Sequence, residues 1–95
     1  MDKAYKQLIN TFCDINNSEE MRNFLKEILT DKERESIALR WQLMKDLHSG
    51  KSQREIAKKY HMSLCKITRG SKILKKENSI SKRYIQNSNN PYNER

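Results

Sequence analysis

Between Lys51 and Arg83 the chain carries eleven basic side chains, among them Arg54, Lys66, Arg69, Lys72 and Lys75, against only two acids, Glu55 and Glu77. A segment so unbalanced is suited to a polyanion, because each phosphate it neutralises releases condensed counterions. Residues 1–35 hold six basic and eight acidic side chains, so the positive charge is concentrated in one stretch. An anionic membrane surface is the competing partner. Against it, the basic residues interleave with Ile56, Ala57, Ile67 and Leu74 at packing spacings instead of lying opposite one broad apolar face. Nucleic acid is the better match.

Other chemistry finds little support. His48 and His61 are not paired with a nucleophile at any telling spacing, and the acids fall mainly in caps and on helix surfaces, so the reading is not an enzyme. Cys13 and Cys65 lack the close spacings of zinc or redox motifs and read as reduced thiols, with no metal expected. No run approaches the roughly 20 apolar residues of a membrane span. The start Met1-Asp2-Lys3-Ala4 also lacks the apolar core of a signal peptide, and the expectation is a cytoplasmic protein with no membrane partner.

The elements that must position the basic residues are helices. With two Gly, one Pro and 7% aromatic residues, the chain is poor in turn formers and in strand-forming aromatics, which predicts an all-α fold. Tyr5, Leu8, Phe12 and Ile15 recur at helical spacing, so residues about 3 to 15 read as an amphipathic helix. Asn17 with Glu20 caps a second, whose face is Met21, Phe24, Leu25 and Ile28. Thr30-Asp31-Lys32-Glu33 is a capping box opening a third. There Ile37, Trp41, Met44 and Leu47 share one face while Leu39 and Leu43 extend the apolar surface to another side. Gly50 stands where a helix end favours a left-handed residue.

Ser52-Gln53-Arg54-Glu55 is a further capping box, opening a short helix with Ile56 and Tyr60 on one face. After the break His61-Met62-Ser63, Ser63 is a candidate cap for a helix carrying Leu64, Ile67, Ser71 and Leu74 on one side. Two short helices about a three-residue break form a helix-turn-helix candidate. The first turn of the second holds Lys66 and no acid, a local cost that makes sense if phosphate arrives there. Ile80, Tyr84 and Ile85 suggest one more short helix. Asn87 to Arg95, with Pro91, should fray.

Three motifs in register, Leu29-Thr30-Asp31-Lys32-Glu33-Arg34-Glu35, Ser52-Gln53-Arg54-Glu55-Ile56 and Ile67-Thr68-Arg69-Gly70-Ser71 followed by Leu74-Lys75, resemble the Trp repressor family. The likeness runs from about Tyr5 to Lys76. It implies an intertwined all-helical homodimer with a helix-turn-helix head in each chain, the two heads spaced for successive major grooves of a palindromic operator. The organisation it implies is a dimerisation core over 1–50, a DNA-binding head over 51–76, a C-terminal helix over 77–88 packing on the core, and a flexible tail over 89–95. A modest core in 95 residues fits a chain that oligomerises.

The resemblance also implies L-tryptophan as corepressor. Arg40 falls on the family arginine that takes the ligand carboxylate, and Arg69 on the one stacking against the indole, roles that suit a planar, bidentate guanidinium. Thr30, Met44 and Gly70 fall on positions that line or approach the pocket. Ile73 stands where the family usually has a serine that helps hold the ligand ammonium, a bond isoleucine cannot accept. For double-stranded operator DNA, Arg54 matches the residue that reaches a base, while Gln53, Lys75 and Lys72 are placed for phosphates. Leu64, Cys65, Lys66 and Thr68 occupy the start of the reading helix, although Leu64 also reads as core. The function implied is a tryptophan-responsive repressor of genes for making or importing tryptophan; the alternative is a helix-turn-helix regulator of the same fold that needs no ligand.

Overall fold

In a computed structural model, residues 1–88 are described, and among them the chain is all-helical. Six helices follow in order: α1 (Asp2–Asp14), α2 (Ser18–Ile28), α3 (Asp31–His48), α4 (Gln53–Tyr60), α5 (Leu64–Lys75) and α6 (Ile80–Ser88). The expected tail over 89–95 lies outside the described residues. The chain divides into two compact units, Met1–Ser36 and the residues from Ile37 on, with the boundary inside α3.

In the first unit the helix starts follow local capping chemistry. The Asn17 side-chain oxygen accepts from the Glu20 amide at 2.8 Å, and the Asn17 amide group donates back to the Glu20 carboxylate at 3.2 Å. The Thr30 box is closed in both directions: the Glu33 amide donates to the Thr30 hydroxyl at 3.1 Å, and the Thr30 amide donates to the Glu33 carboxylate at 2.8 Å. That backbone N–H, then the hydroxyl, hold the Glu33 carboxyl below its ordinary pKa. Phe12 and Phe24 meet edge to face with centroids 5.5 Å apart, tying α1 to α2. Arg34 donates to the Leu29 carbonyl at 2.7 Å and pairs with Asp31. Even so, neither α1 nor α2 buries a single residue, and Tyr5, Ile9 and Ile28 are exposed.

The second unit holds the core. Leu43 and Met44 of α3, Ile56 of α4, Ile67 and Leu74 of α5, and Ile85 of α6 are buried together, with Leu47, Ala57, Tyr60, Met62 and Ile73 packed around them. Fully burying a side chain the size of Ile56 or Ile67 contributes about 1.5–3 kcal/mol. Gly70 is what lets α5 lie directly on α3, since a Cβ there would stand 3.0 Å from Leu43 Cδ1 and 3.4 Å from both Leu47 Cδ1 and Met44 Cγ. Gly50 takes φ +100° as the sequence predicts, and His61, the residue that ends α4, takes a left-handed φ of 53°.

The structure settles which faces of α3 and α6 are buried, and it corrects two expectations, at Leu64 and at Ser63. On α3 the buried pair is Leu43 and Met44, whereas Ile37 and Trp41 are exposed, because α5 seats against the Leu43 side. On α6 it is Ile85 that is buried, while Ile80 and Tyr84 face outward. Leu64 is 48% exposed at the start of α5, ahead of the stretch that contacts the core, so it is not a core residue. Ser63 occupies the N-cap of α5 with extended backbone but makes no side-chain cap hydrogen bond, whereas Ser52 at the start of α4 accepts from the Glu55 amide at 3.1 Å.

Candidate nucleic-acid interface

The basic segment is carried by α4, the break His61–Ser63, and α5. Their inward residues, Ile56, Ile67, Gly70 and Leu74, are buried, so the interleaved charged residues must point out. Arg54 on α4 and Leu64, Cys65, Lys66, Arg69, Lys72 and Lys75 on α5 are all exposed. The first turn of α5 holds no acid, and its N-cap side chain makes no bond to it. The positive end of the helix dipole therefore stands beside Lys66 without local compensation, an arrangement suited to an anion.

Gln53 and Thr68 are half-buried and joined, the Thr68 hydroxyl donating to the Gln53 side-chain oxygen at 2.9 Å. This bond links the first turn of α4 to the second turn of α5 and leaves the Gln53 amide nitrogen as the donor available to a partner. The two residues are thus a coupled pair, a link invisible in the sequence at a separation of fifteen residues.

A second polar link anchors α4 to α3. The Asp46 carboxylate, 5% exposed, accepts from the Tyr60 hydroxyl at 2.7 Å and from the Gln42 side-chain amide at 3.1 Å, with the Lys51 ammonium 3.6 Å away. Burial alone pushes this carboxyl up, but the bonds from Tyr60 and Gln42 and the charges of Lys51 and Lys59 outweigh it and hold its pKa below the usual value. The same bond pushes the Tyr60 hydroxyl above its ordinary value, helped by burial. Sequence reasoning missed Asp46 as a structural centre. Its one legible trace is an acid in the last turns of α3, where the helix dipole favours cations.

Lys51 also borders a separate cleft of about 390 Å³, lined by the end of α3, residues Gly50–Gln53, the far end of α5 and Lys82 of α6. Lys51, Lys75 and Lys82 all line it, with Ser52 and Ser71, and no acid does. Of these residues, Gln53 and Lys75 are singled out for phosphates from the sequence; Lys51 and Lys82 count there in the basic segment without a specific role, and Ser71 reads only as part of one side of α5.

The residues expected to hold a small ligand are distributed as follows. Arg40 and Arg69 are exposed. Met44 and Gly70 are buried and adjacent, and Ile73 is half-buried against the same core. Thr30 lies in the other compact unit, where its hydroxyl is engaged by the Glu33 amide. Among the described residues no three His, Cys, Asp or Glu side chains gather as a metal would require, and no helix is long and apolar enough to cross a membrane.

Residues 3–89 match the family described as Trp repressor protein. A "Trp operon repressor homolog" of Chlamydia caviae is 38% identical over 92 residues, which cover 96% of this chain and 91% of that protein. A protein of the same description from Xylella fastidiosa strain M23 is 35% identical over 78 residues, 81% of this chain and 85% of its own length. Another, from Chlamydia trachomatis serovar D, is 34% identical over 82 residues, 84% of this chain and 87% of its own. No solved structure matches the chain.

Proposed function

The chain belongs to the Trp repressor family, and from that premise we propose that it is a tryptophan-responsive transcriptional repressor acting as a homodimer on a palindromic duplex operator, with L-tryptophan as corepressor. The observation that carries this reading is the α4–α5 pair, two helices about a three-residue break whose outward side is basic and whose second helix begins without an acid. That is the arrangement a helix-turn-helix head needs to enter a major groove and hold the flanking phosphates.

Dimerisation is supported by what the first unit lacks. Two amphipathic helices with no buried residue, and with Tyr5, Ile9 and Ile28 exposed, are stable only if another surface covers them, and a second copy of the chain is the partner at hand. For the corepressor, Arg40 and Arg69 are exposed guanidinium groups suited to a carboxylate and to an indole face. A ligand acts by preferring the head arrangement competent for DNA, so its effect is limited by its differential affinity for the two states.

One observation favours the ligand-independent reading. Ile73 is packed against the core and offers no acceptor for an ammonium group. Calorimetric titration with L-tryptophan, with indole propionate beside it, separates the readings, and sedimentation of the same samples tests the dimer. Saturable binding of L-tryptophan at one site per chain, followed by its enhancement of selection from random duplexes, is the expected outcome. Silence with both ligands, together with unaided duplex selection, would leave the ligand-independent regulator. Binding of the propionate alone would mean that Ile73 has removed the ammonium site.

A further inference from the structure

The cleft beside the start of α4 brings cations from three separate segments into one space: Lys51 from the α3–α4 connection, Lys75 from the end of α5 and Lys82 from α6. Lys51 is partly compensated by Asp46 at 3.6 Å. Among the described residues, neither Lys75 nor Lys82 pairs with a carboxylate. Like charges gathered at the mouth of one cleft repel each other, and the folded chain gains nothing from them unless an anion arrives. The cleft is also lined by Ser52, Ser71 and Gln53, the first residue of α4. Three lysines beside the start of a helix, with no acid in the lining, suit a phosphate, a compact anion that takes several donors at once.

We propose that this cleft seats a backbone phosphate of the bound duplex, making Lys51 and Lys82 DNA-contacting residues and bringing α6 into the DNA-binding surface. The inference rests on the duplex-binding reading above. Continuity with that surface favours the phosphodiester over a free phosphorylated molecule, since the cleft shares Gln53 and Lys75 with the outward side of α4 and α5. A phosphate seated here lies outside the groove-reading residues, so it contributes affinity and register and no base discrimination.

The test is the salt dependence of duplex binding for wild type, Lys82→Ala and Lys82→Arg, each measured on a selected site and on random duplex. Losing one phosphate contact should lower the slope of log affinity against log salt by about 0.9 and weaken both duplexes by the same factor. Lys82→Arg should keep the wild-type slope, and the exposed position of Lys82 should leave the melting temperature of all three unchanged. A wild-type slope in Lys82→Ala would overturn the proposal while leaving DNA binding intact. A wild-type protein that binds no duplex would overturn both readings. Calorimetry with inorganic pyrophosphate identifies the remaining source: saturable binding that Lys82→Ala abolishes, with an unchanged salt slope, would make the cleft a free-anion site and overturn its assignment to DNA.

Discussion

The Tyr60 hydroxyl donates to Oδ2 of Asp46 across 2.7 Å, joining the last residue of α4 to a carboxylate three residues before α3 begins to unwind at Ser49. Asp46 is otherwise a costly residue to bury, and its retention depends on the donors that surround it. Gln42 and Lys51 complete the set, so one carboxylate holds together α3, the α3–α4 connection and α4.

Tyr60→Phe removes one of those donors while keeping the ring. We expect a loss of about 1.5–3 kcal/mol of unfolding free energy, the range for a hydrogen bond to a charged group. Urea denaturation followed by circular dichroism checks it, and an effect below about 0.5 kcal/mol, the level of an ordinary surface substitution, would mean that solvent replaces the hydroxyl.

The same carboxylate predicts a pH dependence. Because the folded pKa of Asp46 lies below its ordinary value, the ionised group contributes stability that is fully present above the unfolded carboxylate pKa, about 3.9. That stability is lost as pH falls through the folded value. The difference in stability between wild type and Asp46→Asn should therefore be constant near neutrality and shrink below about pH 4. A difference that grows on acidification would contradict this assignment.

His61 closes α4 in the left-handed region, which costs a non-glycine residue roughly 1–2 kcal/mol. His61→Gly relieves that cost but widens the unfolded ensemble, so a net gain of about 0.5–1 kcal/mol is expected. His61→Val should instead destabilise, because a β-branched side chain fits that backbone region poorly. Thermal melts of the two variants give opposite signs if the turn is as described.

Arg54 and Arg40 should separate reading from response. With Arg54→Ala, discrimination between a selected duplex and a random one should fall by about 1–3 kcal/mol, the worth of a bidentate base contact, even with ligand present. With Arg40→Ala, the ligand response should disappear while salt-sensitive binding to random duplex persists. Fluorescence anisotropy with and without L-tryptophan measures both. A fully responsive Arg40→Ala protein would remove that residue from the ligand site.

Much of the local structure was legible because its causes are local. Asn17, Thr30 and Ser52 cap where their spacing to Glu20, Glu33 and Glu55 says they should, and Gly50 takes the positive φ expected of it. Periodicity identified the helices but not which side of α3 and α6 the core would take. Leu43 and Ile85 are chosen by where α5 packs, and that is a long-range matter. The outward basic residues of α4 and α5 were legible from charge, whereas the uncharged Leu64 and Cys65 were placed there only by the family resemblance. The pairing of Thr68 with Gln53, the Asp46 centre and the approach of Lys82 to the α3–α4 connection were not, because each joins positions in different helices or connections and leaves no periodic trace.

Gly70 has a mechanical consequence for the basic helix. Where α5 rests on α3 there is no side chain to act as a spacer, so the helix is supported close to this residue. Six residues separate it from Leu64, an arm of about 9 Å at 1.5 Å per residue. A tilt of about 10° about that fulcrum carries the leading end of α5 by about 1.6 Å on the same geometry, enough to break a hydrogen bond whose useful range spans about half an ångström. Repacking of Leu43, Leu47 or Met44 that tilts α5 would therefore displace Cys65 and Lys66 more than the residues at the fulcrum itself.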